Sequence, residues 1–360
     1  MNRPTRIRLI AAGAAVAVLA GGVLAAPRPP SLSTTVTGDS DLASSLAAGV
    51  DSAPGVRDTL AAAVIEADDA TFAGLGADEN TEFEIGSITK TFTALLLAQA
   101  VERGEVTLDS PVGDYLDLGD SAAAEVTLAE LSSHRSGLPR IATTVPAVAA
   151  SLWSVYRGSD PYPYDVDDLI AHARASALTD RGTVAYSNLG VALLGQALAA
   201  AADTDYAALL QTGIFDPLGM TATSLPTADA LPADARTGYS VAGRPAEAWT
   251  MSAYAPAGAI RSTVADMTVY AQALLTADPA LGVDPATVLD PSGETDDGPL
   301  IGLAWFTQAP EDGTATWHNG GTGGFASMLA LNRTDERAVI VLGNTAASVD
   351  ALAMSILEEN

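Results

Sequence analysis

The sequence has no cysteine, and this absence excludes several kinds of site at once. Without cysteine there are no disulfides, no thiol nucleophiles and no thiolate ligands for a metal. The only histidines are His134, His172 and His318, which lie far apart and belong to no metal-ligand pattern such as H-E-x-x-H. We therefore predict a protein with no metal and no other cofactor.

Positive charge is scarce as well. Lys and Arg together number 17 against 44 Asp and Glu, which gives a formal net charge of −27. Such a field repels phosphate backbones and anionic bilayers, so we predict no nucleic-acid partner. The remaining composition, 48% hydrophobic and 17% charged, is typical of a globular chain with one large domain or two of ordinary size.

Only one of the basic residues is a lysine, Lys90, and it follows Ser87 by three positions. Arginine stays protonated in proteins, whereas a desolvated lysine amine can lose its proton and act as a base. Positions i and i+3 are neighbours on a helix, so this spacing places the Lys90 amine beside the Ser87 hydroxyl. An adjacent amine is one way to activate a serine nucleophile. Serine is common in this chain, however, so the pair alone is weak evidence.

The N-terminal residues have the pattern of an export signal. Arg3, Arg6 and Arg8 form a positive segment, and Leu9 to Leu24 form an alanine-rich apolar run. We predict a signal peptide over residues 1–26 that is cleaved after export. An uncleaved membrane anchor is the alternative, although the run is short for a full span. Both alternatives place the protein in the cell envelope or outside the cell.

Further segments are predicted after the signal peptide. A Pro/Ser/Thr-rich spacer is expected over residues 27–54, mobile apart from a short helix near residues 42–48. Residues 55–358 are expected to form the folded domain. Within this domain, residues 111–289 are expected to form a mostly helical subdomain.

Strand-like runs occur at both ends of the domain, with helical patterns between them. The strand predictions are residues 60–65 and 71–75, which form a hairpin, and residues 300–307, 315–318, 325–331 and 338–343. The helix predictions are residues 166–175, 188–201, 265–275 and 349–357, with another that begins at Ser87. We predict an α/β (α+β) fold, in which an antiparallel sheet built from both chain ends is flanked by helices. The active site is expected in the cleft between this sheet and the helical subdomain.

Two further motifs come after Ser87 and Lys90 in the chain. Tyr-Ser-Asn at positions 186–188 precedes an apolar helical pattern, and His-Asn-Gly-Gly at positions 318–321 follows a strand-like tryptophan. Together with Ser-x-x-Lys, they resemble the three signature elements of the serine β-lactamase and penicillin-binding superfamily. The closest resemblance is to its class C branch, with the related D-alanyl-D-alanine carboxypeptidases and esterases, and it covers about residues 55–358.

The resemblance implies a role for each residue of the first two motifs. Ser87 would be the nucleophile that forms an acyl-enzyme, and Lys90 the amine that helps to deprotonate it. Tyr186 would be the phenol that passes the proton to the leaving group, so that the three form one coupled system. Asn188 would hydrogen-bond the lysine and the acyl side chain of the substrate.

The third motif is implied to bind the substrate, and it departs from the family pattern at two positions. His318 stands where lysine is more familiar, and it carries positive charge only when protonated, which predicts a pH-dependent activity. Asn319 stands where many members have Thr or Ser, whose hydroxyl helps to hold a substrate carboxylate. Gly320 and Gly321 complete the motif, and the Gly321 N–H is implied to form an oxyanion hole with the Ser87 N–H. The departure at Asn319 argues against efficient β-lactam hydrolysis.

We therefore expect an exported serine hydrolase that works through an acyl-serine intermediate. Its expected substrate is a small molecule or a peptide, namely an ester, an amide or a D-Ala-D-Ala-type peptide, with cell-wall peptide as one candidate. The alternative is a penicillin-binding sensor or binding protein that is acylated without efficient turnover. No protein partner is predicted from the sequence.

Overall fold

The computed structural model describes residues 29–51, 54–67, 69–295, 298–308 and 315–359. The predicted signal peptide, residues 1–26, lies outside these ranges. Within them, the chain from Ser31 onward forms one compact unit. No helix in the described ranges is long and apolar enough to cross a membrane.

The strands belong to one large sheet and two small ones. They are β1 (Val36–Gly38), β2 (Leu60–Glu66), β3 (Asp69–Leu75), β4 (Phe83–Glu84), β5 (Gly238–Tyr239), β6 (Pro245–Ala246), β7 (Arg261–Ser262), β8 (Gly293–Glu294), β9 (Leu300–Ile301), β10 (Phe306–Thr307), β11 (Ala315–Gly321), β12 (Ala326–Asn332) and β13 (Arg337–Gly343). The large sheet has nine antiparallel strands in the order β1-β3-β2-β13-β12-β11-β10-β9-β8. β4 pairs with β7, and β5 pairs with β6.

The helices lie mostly between the two strand-rich ends. They are α1 (Ser40–Asp51), α2 (Thr89–Glu102), α3 (Leu128–Ser132), α4 (Val145–Arg157), α5 (Val166–Ala175), α6 (Asn188–Ala201), α7 (Tyr206–Leu210), α8 (Asp216–Leu218), α9 (Val264–Thr276), α10 (Ala286–Leu289) and α11 (Asp350–Glu358). The predictions for α5 and α6 match the observed bounds, and those for α9 and α11 differ by one residue at each end.

β2 and β13 join the two ends of the chain, because they pair along their full length. Both strands are apolar on both faces, as expected for strands covered on two sides. Along β2, Ala61 and Ile65 pack into the core shared with α2 and α9. Leu60 and Ala62 pack on the opposite face, with α1 and α11. The predicted antiparallel sheet built from both chain ends is confirmed.

The segment expected to be a mobile spacer is instead partly folded. β1 pairs with β3, and α1 packs on the outer face of the sheet. The Asp39 carboxylate accepts a hydrogen bond from the Leu42 N–H at 2.8 Å and so caps the start of α1. Leu42, Leu46 and Val50 are buried at helical spacing. The short helix predicted near residues 42–48 lies within α1. The prediction of a mobile spacer was wrong, because this apolar spacing holds the segment against the sheet.

The predicted strand over residues 300–307 is a hairpin of two very short strands. Ile301 of β9 pairs with Phe306 of β10, and the chain reverses between them. Ala304 has a positive φ of 66° in this reversal, and the Gly302 N–H donates to the Trp305 carbonyl at 2.8 Å. Apolar content without alternation could not distinguish such a buried hairpin from one continuous strand.

Candidate active site

Ser87 and Lys90 lie where β4 leads into the buried helix α2. A 3₁₀ turn over Gly86–Ile88 precedes the first residue of α2, Thr89. Ser87 therefore lies in this turn, and the α-helix begins two residues after the predicted start. Lys90 Nζ lies 3.0 Å from Ser87 Oγ and donates a hydrogen bond to the Ala257 carbonyl. Lys90 is fully buried, whereas Ser87 is partly exposed to the adjoining cavity. The spacing of three residues therefore brings the two groups together as predicted.

The Ser87 turn packs closely against the end of β11, and two glycines permit this approach. Gly86 has a φ of 50°, and a Cβ there would lie 2.6 Å from the Gly321 nitrogen. A Cβ on Gly320 would lie 2.0 Å from the Ile85 carbonyl oxygen. Both contacts exclude any larger residue. They bring Gly321 to the turn that carries Ser87, the arrangement expected for a pair of oxyanion donors.

The environment of the Lys90 amine favours its neutral form. Burial, and after it the positive charge of Arg140, holds the pKa of Lys90 well below the ordinary value for lysine. A neutral amine keeps a lone pair that can accept the proton of a hydroxyl group. Lys90 can therefore act as a base towards Ser87 without the assistance of a carboxylate.

Tyr186 contacts the same two groups. Its phenol interacts with the Ser87 side chain, and Lys90 Nζ lies 4.8 Å from the centre of its ring. The guanidinium carbon of Arg140 lies 4.9 Å from the same ring centre. Burial raises the pKa of the Tyr186 phenol above its ordinary value, although Ser87 and Arg140 oppose this shift. Tyr186 is therefore protonated at neutral pH, and it can relay a proton but does not stand ready as a phenolate.

His134 holds the segment that carries Tyr186. It is fully buried with a φ of 57°, and its Nδ1 accepts a hydrogen bond from the Ser187 N–H at 3.3 Å. Its carbonyl accepts one from the Ala185 N–H at 2.7 Å. Its ring centre lies 4.4 Å from that of Tyr186. His134 therefore positions this segment by packing and hydrogen bonding.

Asn188 lies at the start of α6, and the structure gives its amide a different partner from the one expected. Its Nδ2 donates to the Tyr162 hydroxyl at 2.9 Å, and not to Lys90. Its Oδ1 is buried and has no hydrogen-bond partner among the described residues. Because Asn188 also lines the cavity next to Ser87, this free acceptor is available to an N–H group of a substrate.

His318 and Asn319 are neighbours in β11, and they face opposite sides of the sheet. His318 pairs with Leu329, whose side chain belongs to the inner core, whereas Asn319 pairs with Met328, which packs on the outer face. Asn319 Nδ2 donates to the carboxylate of Asp350 in α11 at 2.7 Å. The prediction that Asn319 binds the substrate therefore conflicts with its geometry.

His318 faces the inner side, but it does not provide the expected positive charge. Burial, followed by the charge of Lys90, lowers its pKa to about 3. Its Nδ1 lies 2.6 Å from the Asn319 carbonyl oxygen, and its Nε2 has no hydrogen-bond partner among the described residues. His318 is therefore neutral near pH 7, and the expected pH dependence cannot come from its titration in that range.

A cavity of about 670 Å³ adjoins these groups. Ser87, Asn188 and Gly321 line it, so three of the predicted site residues share one space. Tyr162 and Trp249 form an aromatic part of its wall, with their ring centres 5.8 Å apart. Further lining residues are Arg140, Arg157, Arg244, Met251, Ala257 and Gly323.

The sequence analysis missed Arg140 and Tyr162 as parts of this site. Arg140 lies in the loop between α3 and α4. Tyr162 lies between α4 and α5, in a stretch with no recognised motif. Only the folded chain brings the first to the Tyr186 ring and the second to the Asn188 amide. Within the described residues, no group of three or more His, Asp and Glu side chains is arranged to hold a metal ion.

Known proteins are similar in sequence to most of this chain. A family model described as Beta-lactamase matches residues 40–358. The human protein named putative beta-lactamase-like 1 is 32% identical over 254 residues, which are 63% of this chain and 48% of that protein. The D-alanyl-D-alanine-carboxypeptidase/endopeptidase AmpH of Escherichia coli is 27% identical over 275 residues, which are 69% of this chain and 66% of that protein. The chain therefore spans only part of the length of these relatives.

The fold has a close counterpart among solved structures. The class C beta lactamase from Rhodobacter sphaeroides superposes with a TM-score of 0.72 at 24% sequence identity, covering 89% of this chain and 99% of that one. The match supports the sheet, the flanking helices and the helical region between them. Since the family model spans all these elements and every residue of the three motifs, the chain belongs to the beta-lactamase family.

Proposed function

We propose that this protein is an exported serine hydrolase that transfers the acyl group of its substrate to Ser87 and then to water. One observation carries the proposal. Lys90 Nζ lies 3.0 Å from Ser87 Oγ, and the Tyr186 phenol interacts with the same side chain. A hydroxyl in contact with a buried neutral amine and a phenol is arranged for nucleophilic attack.

The acylation step uses these three side chains in sequence. Ser87 Oγ forms a bond to the carbonyl carbon while its proton moves to the Lys90–Tyr186 pair. The carbonyl oxygen gains negative charge, and the N–H groups of Ser87 and Gly321 stabilise it, at typically ~3 kcal/mol per donor. The bond to the leaving group then breaks, and that group takes the proton from Tyr186. The products are the acyl-Ser87 ester and the free alcohol or amine.

Deacylation repeats the same proton movements with water as the nucleophile. Water attacks the acyl-Ser87 carbonyl and gives its proton to the Lys90–Tyr186 pair. The ester bond breaks, Ser87 Oγ recovers the proton, and a carboxylic acid leaves. Because burial and the charge of Arg140 lower the pKa of Lys90, its neutral form is favoured, and this form can accept a proton at the start of both half-reactions.

The substrate class that we propose is an ester, an amide or a D-Ala-D-Ala-type peptide. The similarity to AmpH, which is named as a carboxypeptidase and endopeptidase, supports a peptide substrate. The free Oδ1 of Asn188 supports the same choice, because a peptide N–H would give this buried acceptor a partner.

The proposal is tested on the purified protein with chromogenic esters and D-Ala-D-Ala peptides. Ser87→Ala should abolish turnover and the covalent adduct seen by intact-mass measurement. Lys90→Arg keeps a basic side chain but cannot supply a neutral amine, so we expect a loss of at least ~100-fold in kcat. Unchanged turnover in Ser87→Ala would overturn the assignment. A stable adduct that releases no product would instead identify an acylated binding protein.

We also propose that residues 1–26 direct export, with three arginines followed by an apolar run as the supporting pattern. N-terminal sequencing of the protein recovered from the medium or the envelope tests this. A mature N-terminus near residue 27 is the expected result. A full-length chain that remains in the cytoplasm would refute it.

A further inference from the structure

The guanidinium groups of three arginines in the described ranges have no hydrogen-bonding or ionic partner there. The other described arginines each donate a hydrogen bond or form an ion pair. The exceptions are Arg140, Arg157 and Arg244. The Arg140 guanidinium lies over the Tyr186 ring, and the Arg157 guanidinium carbon lies 5.7 Å from the centre of the Trp153 ring. All three line the cavity next to Ser87.

This clustering runs against the charge of the whole chain. Asp and Glu number 44, yet none of those in the described ranges lines the cavity. The nearby Asp160 has its carboxylate occupied, since it accepts hydrogen bonds from the N–H groups of Thr250 and Met251 at 2.9 and 2.8 Å. Glu247 is exposed outside the lining. In a protein of net charge −27, the cavity beside the nucleophile is thus lined by cationic side chains alone among charged groups.

Two of the arginines come from separate segments that are held side by side. Arg157 is the last residue of α4, and Arg244 lies in the turn between β5 and β6. The Glu247 N–H donates to the Gly158 carbonyl at 2.7 Å, and a Cβ on Gly158 would lie 3.4 Å from the Pro245 carbonyl oxygen. The backbones next to both arginines are therefore in contact across the wall of the cavity.

Arg140 occupies the part of the cavity closest to the reacting groups. Its guanidinium lies over the Tyr186 ring, and the Tyr186 phenol interacts with Ser87. A ligand that reaches from Ser87 towards α4 would therefore pass from one guanidinium to the other two. Guanidinium groups bind carboxylates and phosphates through paired N–H donors in a fixed plane.

We infer that Arg140, Arg157 and Arg244 form a binding site for an anionic group of the substrate, a carboxylate or a phosphate, and that anionic acyl donors are preferred. The inference rests on the proposed function and adds the charge of its substrate. In β11, His318 is neutral near pH 7 and Asn319 faces Asp350. Neither residue provides a cation for an anionic substrate, whereas the three arginines do.

The test compares p-nitrophenyl esters of similar acyl length: valerate, which is neutral, hemiglutarate, which carries a carboxylate, and 4-phosphonobutyrate. We expect wild-type kcat/KM to be at least about tenfold higher for one of the anionic esters than for valerate. The double variant Arg157→Gln/Arg244→Gln should lower this ratio by about tenfold or more. Arg103→Gln is the matched control, because Arg103 pairs with Glu105 at the surface and is absent from the cavity lining.

A binding measurement makes the test independent of turnover. Glutarate and inorganic phosphate are titrated calorimetrically into Ser87→Ala, with and without the two arginine substitutions. Binding of one anion, weakened about tenfold or more by Arg157→Gln/Arg244→Gln, is the expected result, and the preferred anion identifies the group. Single variants and thermal unfolding show whether a loss reflects misfolding.

Two outcomes separate the failures. If valerate is hydrolysed through Ser87 but neither anionic ester is preferred and neither anion binds, the anion site is wrong and the hydrolase proposal stands. If Ser87→Ala leaves ester turnover unchanged while anions still bind at these arginines, the hydrolase proposal fails and the anion site remains as a ligand-binding site.

Discussion

The guanidinium carbon of Arg140 lies 4.9 Å from the centre of the Tyr186 ring. The other basic groups next to Tyr186, namely Lys90, His134 and His318, all have lowered pKa values. Arg140 is therefore the permanent positive charge beside the proposed proton relay. Its charge favours a developing phenolate in the proposed mechanism, and after burial it is the second cause that lowers the pKa of Lys90.

Replacing Arg140 should change both the rate and the pH profile. In Arg140→Gln the positive charge that lowers the Lys90 pKa is lost, so that pKa rises and the amine stays protonated up to a higher pH. The acid limb of the kcat/KM profile should move to higher pH, with kcat lowered about tenfold or more. Arg140→Lys restores a charge and should move the limb back in part. An acid limb that stays at the wild-type pH would contradict this role.

Removing the Tyr186 hydroxyl should lower the rate of acylation. Tyr186→Phe keeps the ring contacts with His134 and Arg140 but loses the hydroxyl that interacts with Ser87. We therefore expect kcat to fall by about 10²- to 10⁴-fold. Tyr270→Phe is the matched control. Its hydroxyl donates to Thr91 at 3.1 Å within the core, so its loss should cost about 1 kcal/mol of stability and leave kcat unchanged.

Stopped-flow release of p-nitrophenol, together with thermal unfolding, distinguishes the two tyrosine variants. Equal rates of acylation in Tyr186→Phe and Tyr270→Phe would remove Tyr186 from the mechanism.

Asn188 and Asn319 are amides in different surroundings, since Asn188 lines the cavity and Asn319 faces Asp350 on the outer side of the sheet. Asn188→Ala removes a polar group from the cavity and should raise KM for amide and peptide substrates about tenfold. Asn319→Ala removes only the contact with Asp350 and should change kcat/KM less than about threefold, while lowering stability by about 1 kcal/mol. Steady-state kinetics and thermal unfolding of both variants check this. A larger kinetic loss in Asn319→Ala than in Asn188→Ala would reverse the assignment.

Stability should fall as the pH rises towards neutrality, because of Glu84. This residue of β4 is buried, and burial raises its pKa to about 7 from an ordinary value of 4.5, even though Arg261 Nη1 lies 3.1 Å away. Between these two values the folded state binds more protons than the unfolded state. The free energy of unfolding therefore decreases as pH rises from about 4.5 to 7, by up to about 3 kcal/mol.

Glu84→Gln tests this dependence by removing the titration. Denaturant unfolding of the variant between pH 5 and pH 7 should show a flatter change in stability than the wild type. Glu359→Gln serves as the control, since this exposed residue near the C-terminus should leave the slope unaltered. The same slope in wild type and Glu84→Gln would assign the pH dependence to another group.

The residues that could be predicted from the sequence are those linked by short spacing. Ser87 and Lys90 lie within one helical turn, so their contact follows from local geometry alone. The sheet could be predicted because apolar strands at both chain ends need partners on both sides. The resemblance to the family motifs predicted Tyr186 as a site residue, and in the structure its phenol interacts with Ser87. Its catalytic role remains a prediction.

The residues that could not be predicted depend on pairing and on long-range contact. His318 and Asn319 are adjacent, and strand alternation requires that only one of them faces the cavity side, but the choice depends on the register of β11 against β12. Arg140 and Arg244 carry no local pattern, and they become neighbours of the site only when separate loops pack together. The helix α4 escaped prediction because much of its apolar surface is exposed, as at Trp153 and Tyr156.

The pairing of the two chain ends has a consequence in time as well as in space. Ser87 leaves the ribosome early, whereas β11, which brings Gly321 to it, is synthesised late and needs β12 beside it. A nascent chain therefore carries Ser87, the proposed nucleophile, for most of its synthesis without the Gly321 N–H that we propose as an oxyanion donor. We expect such a chain to be chemically inert until its final strands close the sheet, so that recovery of acylation on refolding should follow, and never precede, the slow formation of these distant contacts.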